Sequence, residues 1–154
     1  MPTPYAVSSD LVSAWPAKSL AVATYLDGAL AAKFTTPSAW TAYTPTIAAY
    51  TGAFGTITLN GAAYCQIGKL VIVRVSVTIA SVGTGTVGIK CTLPTAATST
   101  NGGGGHFTEV TVTGWSCPAY FNSVSEILIA KYDGTNPVSG TNSKFVGTFT
   151  YEAA

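Results

Sequence analysis

The sequence predicts a mainly β protein. A short N-terminal extended arm and one α-helix precede an antiparallel β-sandwich head, jelly-roll-like and trimeric. Three observations carry this. Apolar residues recur at three- and four-residue spacing only ahead of Pro37, whereas from Trp40 onward they alternate with a period of two. Turn residues punctuate that second part at intervals of roughly ten residues, the spacing of sandwich or barrel strands. Hydrophobic residues make up 47% of the chain and charged residues only 8%, against about 25% charged in ordinary soluble domains. Thr, Ser, Gly, Asn and Ala must therefore cover the surface, and burial between subunits is the natural place for the apolar surplus.

Residues 1–38 make up the N-terminal part. Pro2, Pro4 and Pro16 push the residues before them out of the helical region, so 1–16 reads as extended. A helix starts at Pro16 or Ala17, where proline suits the first turn, and Pro37 ends it. Leu20, Ala23, Leu26 and Leu30 form its one narrow apolar seam, while Gly28 weakens it by about 1 kcal/mol relative to Ala. Such a helix is marginal in isolation. It needs a partner, and copies of itself in a homotrimer supply one.

Residues 39–154 read as the head. TITLNGAAYCQIG predicts two strands joined by a turn at Asn60-Gly61, the strongest short hairpin signal. KLVIVRVSVTIASV is the clearest strand: Val71, Val73, Val75, Val77 and Ile79 share one face and should be core. IKCTLP follows, stopped by Pro94. TAATSTNGGGGH reads as a long flexible loop, its four glycines rich in conformational entropy. FTEVTVTGW, SCPAYFNS, SEILIAKYD and KFVGTFTYEA are further strands, the last two linked by DGTNPVSGTNS.

Several function classes are disfavoured. Net charge is +1, and the seven basic residues are spread thinly, so the cluster that nucleic acid requires is missing. No run of 18 apolar residues exists, so no membrane insertion is expected, and MPTPYAVSSD lacks the pattern of a secretory signal. Cys65, Cys91 and Cys117 are too few for a disulfide framework or zinc site and read as buried small apolar residues. His106 is the one histidine, and Asp10, Asp27, Glu109, Glu126, Asp133 and Glu152 are scattered. His106 and Glu109 read as a solvated loop pair rather than a catalytic or metal pair. No catalytic set, metal or cofactor is expected, and the chain is not read as an enzyme.

The aromatic residues offer one binding chemistry. Tyr and Trp rings stack on apolar sugar faces and keep a polar edge. Trp115, Tyr120 and Tyr132 fall near expected loops and are the candidate ligand surface.

The segment Trp40, Tyr43, Thr44, Pro45, Thr46, then Asn60, Gly61, Tyr64, Gly68, Val71 and Val73, then Leu93-Pro94 and the closing Gly147 to Glu152, resembles the C-terminal β-domains of tailed-bacteriophage fibre and minor tail proteins. SSDLVSAWPAKSLAVATYLDGAL resembles the helical stalk ahead of such heads. The resemblance implies a homotrimeric virion protein whose residues 1–16 bind other phage virion proteins of the tail or capsid, through Pro4, Tyr5, Leu11 and Trp15. Its head would face outward on the particle toward a host cell-surface glycan. The stalk is too short for a long fibre, which favours a small knob or a capsid decoration.

Overall fold

The computed structural model describes residues 39–138 and 140–154. The arm expected around Pro4, Tyr5, Leu11 and Trp15, and the helix expected with Leu20, Ala23, Leu26 and Leu30, lie outside the described residues. The described chain is mainly β and contains no helix. Its strands are β1 (Thr41–Ala42), β2 (Ile47–Thr51), β3 (Thr56–Ile67), β4 (Leu70–Ser81), β5 (Thr86–Thr92), β6 (Gly103–Glu109), β7 (Ser116–Ser123), β8 (Glu126–Ile129) and β9 (Ser143–Glu152). All pair antiparallel in one continuous sheet, in the order β1-β3-β4-β9-β6-β7-β8-β5-β2. Where the sequence led us to expect two facing sheets, the ladder runs through all nine strands without a break.

That order requires the sheet to curl. Strands sit about 4.8 Å apart, so a flat sheet of this size would separate its edges by nearly 40 Å. Yet β1 and β2, the two edges, are joined by residues 43–46 alone, a link that spans at most about 18 Å. Curling gives one interior. The odd face of β4 fills it as the alternation predicts, Val71, Val73, Val75, Val77 and Ile79 being buried. Phe107 of β6, Cys117 of β7, Ile127 and Ile129 of β8, Ile89 of β5, and Phe145, Phe149 and Tyr151 of β9 complete the cluster. Tyr43 and Phe54, on the segments flanking β2, pack against it.

Asn60-Gly61 is not a turn. β3 runs straight through it, and the ladder to β4 slips there, Leu59 facing Val77 but Gly61 facing Ser76. Asn60 is the extra residue of a β-bulge, and its Nδ2 donates to Thr78 Oγ1 at 2.8 Å. The hairpin turn lies instead at Gly68-Lys69, between paired Ile67 and Leu70. Gly68 has φ +60°, as the first central position of a two-residue II′ turn demands.

Three of the four glycines in the run, Gly103 to Gly105, are not in a loop either. Gly103–Glu109 is the interior strand β6, hydrogen-bonded to β9 on one side and β7 on the other. Its odd positions face inward, where aromatic rings occupy the space side chains would need. A Cβ on Gly103 would stand 2.6 Å from the Phe121 ring, and one on Gly105 would collide with the Thr148 carbonyl and Phe149. Across the ladder, Gly105 faces Phe149 and Phe107 faces Gly147. Each phenylalanine thus lies over a bare backbone, so close approach outweighs the entropic cost of glycine.

Candidate functional site

The strand connections build the site. After β6 the chain turns through 110–115 and returns as β7, with the Glu109 N–H donating to the Trp115 carbonyl at 2.9 Å. Glu109 lies on the inward face of β6 and is fully buried. Its carboxylate accepts from Thr111 N–H at 2.9 Å and hydroxyl at 2.6 Å, from Val112 N–H at 2.9 Å, and from Thr113 N–H at 2.6 Å and hydroxyl at 3.0 Å. The Lys144 N–H of β9 adds a bond at 3.2 Å. Burial alone would push this carboxyl up. The Thr111 hydroxyl and the N–H groups of Thr113, Thr111 and Val112 outweigh it and hold the group well below the usual carboxylate range. The 110–114 turn is therefore moulded around one ion, and Trp115 leaves it in a fixed direction.

His106 and Glu109 do not form the solvated loop pair expected from their spacing. Three residues apart on a strand, they lie on opposite faces. His106 is exposed on the outer face and shares a hydrogen bond with Ser116 Oγ of β7.

Trp115, Ser116, Pro118, Lys131, Tyr132 and Asp133 line a cleft of about 320 Å³. Lys131 follows β8 and lays its ammonium 3.9 Å from the centroid of the Trp115 ring, a cation–π contact that fixes both groups. It also pairs with Asp133 at 3.6 Å. The Asp133 carboxylate accepts from the Thr135 hydroxyl at 2.6 Å and N–H at 3.0 Å, and these, the hydroxyl first, hold its carboxyl below the usual range. A turn closed by the Gly134 N–H on the Lys131 carbonyl at 3.0 Å puts Tyr132 at its tip, 88% exposed. Of the three aromatic residues predicted from the sequence, Trp115 and Tyr132 share this cleft. Tyr120 points outward from β7 and does not line it.

The cleft offers the exposed Tyr132 ring, the half-buried Trp115 indole with Lys131 against one face, an ammonium, a carboxylate and the Ser116 hydroxyl around a half-open space. That set suits a ligand with apolar faces and hydroxyl edges. Among the described residues no three His, Cys, Asp or Glu side chains gather as a metal site, and no helix is long and apolar enough to cross a membrane. The three cysteines are buried. Burial pushes the Cys91 thiol up to about 12 and the Cys117 thiol up to about 11, which leaves them inert as nucleophiles.

Lys131 was not singled out as a site residue from the sequence. Neither was Arg74, whose guanidinium carbon stands 4.4 Å from the Trp40 ring centroid, although it is the one charge within β4, on the face opposite the core. Trp40 entered the sequence reading through the resemblance. Family models, curated proteins and solved structures contain no match to this chain.

Proposed function

We propose that this chain is a non-enzymatic bacteriophage virion structural protein, a small trimeric tail-associated fibre or knob whose β head binds a host cell-surface glycan. Residues 1–16 attach it to other virion proteins. Residues 17–36 form the helix whose Leu20, Ala23, Leu26 and Leu30 seam joins three copies. The curled sheet serves as the two facing layers of a jelly-roll-like head, carried outward on the particle. The observation that carries the adhesive reading is the cleft in which Trp115 and Tyr132 stand together, with Lys131 stacked on Trp115. Rigid aromatic faces beside fixed polar groups are what an uncharged sugar ring needs.

The test applies labelled full-length protein to a panel of bacterial strains and to an immobilised glycan array. Binding is expected, and Trp115→Ala or Tyr132→Ala should each weaken it about three- to tenfold. A folded protein that ignores every strain and glycan, yet binds phage particles until residues 1–16 are removed, would instead establish a capsid decoration or head-fibre protein.

A further inference from the structure

A second concavity opens on the same outer face, one strand away from the aromatic cleft. It is a trough of about 600 Å³ lying over β1, β3, β4 and β9. Small residues floor it, Ala42, Gly61, Ala63 and Ser76 among them, and Trp40 and Arg74 stand at its side. Arg74 is its one charged residue. The guanidinium carbon lies 4.4 Å from the centroid of the Trp40 ring, a cation–π contact that holds the cation beside the indole. The ion pairs of the described residues are Lys69–Glu152, Lys90–Glu126 and Lys131–Asp133. Arg74 enters none of them and has no carboxylate partner among the described residues.

The floor is open at a defined point. A Cβ on Gly61 would meet no heavy atom within 4 Å, and the residue has no left-handed φ. Packing would accept a side chain there, but the trough would be filled by it.

The occupant follows from charge and shape. A guanidinium fork with no carboxylate partner among the described residues matches a carboxylate through two parallel hydrogen bonds. The adjoining indole face and small apolar floor match the C–H face of a sugar ring. The ladder sets Arg74, Thr148, His106 and Pro118 side by side on successive strands. At about 4.8 Å per strand the row is about 14 Å long, and it runs from the trough to the cleft lined by Pro118, Trp115 and Tyr132. The geometry points to an acidic glycan laid across β9 and β6, with a carboxylate-bearing sugar in the Trp40–Arg74 trough and neighbouring sugars at Trp115 and Tyr132. This rests on the glycan reading above and adds the substrate class and a second contact point.

The experiment measures full-length protein against oligosaccharides containing glucuronic, galacturonic or sialic acid, each paired with its carboxyl-reduced neutral form. At least one acidic member should bind about tenfold or more tightly than its reduced partner. Arg74→Gln should erase that gap, and Gly61→Val should erase it with the guanidinium still present. Thermal unfolding confirms that both variants fold, and the Trp40 indole resonance should shift on titration with the acidic member only. Equal binding of every acidic and reduced pair, or a preference that survives Arg74→Gln, overturns the inference. If Trp115→Ala still abolishes binding in that case, the glycan reading stands without it. If no member of the panel binds, the inference falls, and the strain panel and glycan array decide the glycan reading by themselves.

Discussion

A carboxylate without partners inside a protein costs several kcal/mol, and Glu109 shows how a fold can turn that cost to use. Its oxygens replace water with the N–H and hydroxyl groups of the turn that follows. The turn is ordered by the ion as much as the ion by the turn. Because its folded pKa is depressed, the group contributes stability that is fully present above its unfolded value of about 4.3 and is lost as pH falls toward the folded value. Urea unfolding should therefore show a plateau above about pH 5 and a decline below about pH 4. Glu109→Gln should cost about 2–4 kcal/mol at pH 7, since several donors lose a charged acceptor, and should flatten the acid decline. A variant that unfolds at the wild-type urea midpoint at pH 7 would show that the turn holds itself. The same substitution should weaken any ligand binding at Trp115, which the turn aims.

At the scale of elements, β6 makes the sharpest prediction, because adjacent glycines of one run differ in what surrounds them. Gly105 faces inward against Thr148 and Phe149, whereas a Cβ on Gly104 would meet nothing within 4 Å. Gly105→Ala should cost about 3 kcal/mol through forced shifts of β9, and Gly104→Ala should stay within about 0.5 kcal/mol. Equal, small effects at both positions in denaturant titrations would restore the flexible loop that four glycines suggest on their own. The same strand shows what sequence reading could reach. Alternation placed β4 and its core face correctly because one residue in two is β-branched and the other mostly is not core-bound. It failed on the first half of β6, where the inward positions Gly103 and Gly105 carry no side chain and their space is filled by Phe121 and Phe149 from neighbouring strands. Asn60-Gly61 misled for a related reason: a bulge and a turn both favour glycine, and only the partner strand decides between them. Trp115 and Tyr132 were legible as aromatics near expected loops. Their meeting with Lys131 was not, since it depends on β7 and β8 being neighbours in the sheet.

At the scale of the whole molecule, the curled sheet satisfies its own interior but leaves apolar side chains outside, including Trp40, Ile67, Leu70, Val112 and Val146. With only 8% of residues charged, little repulsion keeps copies of this chain apart. Self-association under control is then safer than a bare surface, and the proposed trimer seam of Leu20, Ala23, Leu26 and Leu30 would supply it. On that proposal, an aspartate at Leu26 would place three like charges around the trimer axis, which the marginal helix proposed there would have no means of absorbing. Sedimentation of Leu26→Asp should accordingly show monomers or disordered aggregates in place of a single trimeric species. Far-ultraviolet circular dichroism should still report the β signal of residues 39–154, because their core of Val, Ile and Phe side chains closes within one sheet. An unchanged trimer would locate the subunit contacts in the exposed apolar residues of the sheet and remove the seam from the assembly.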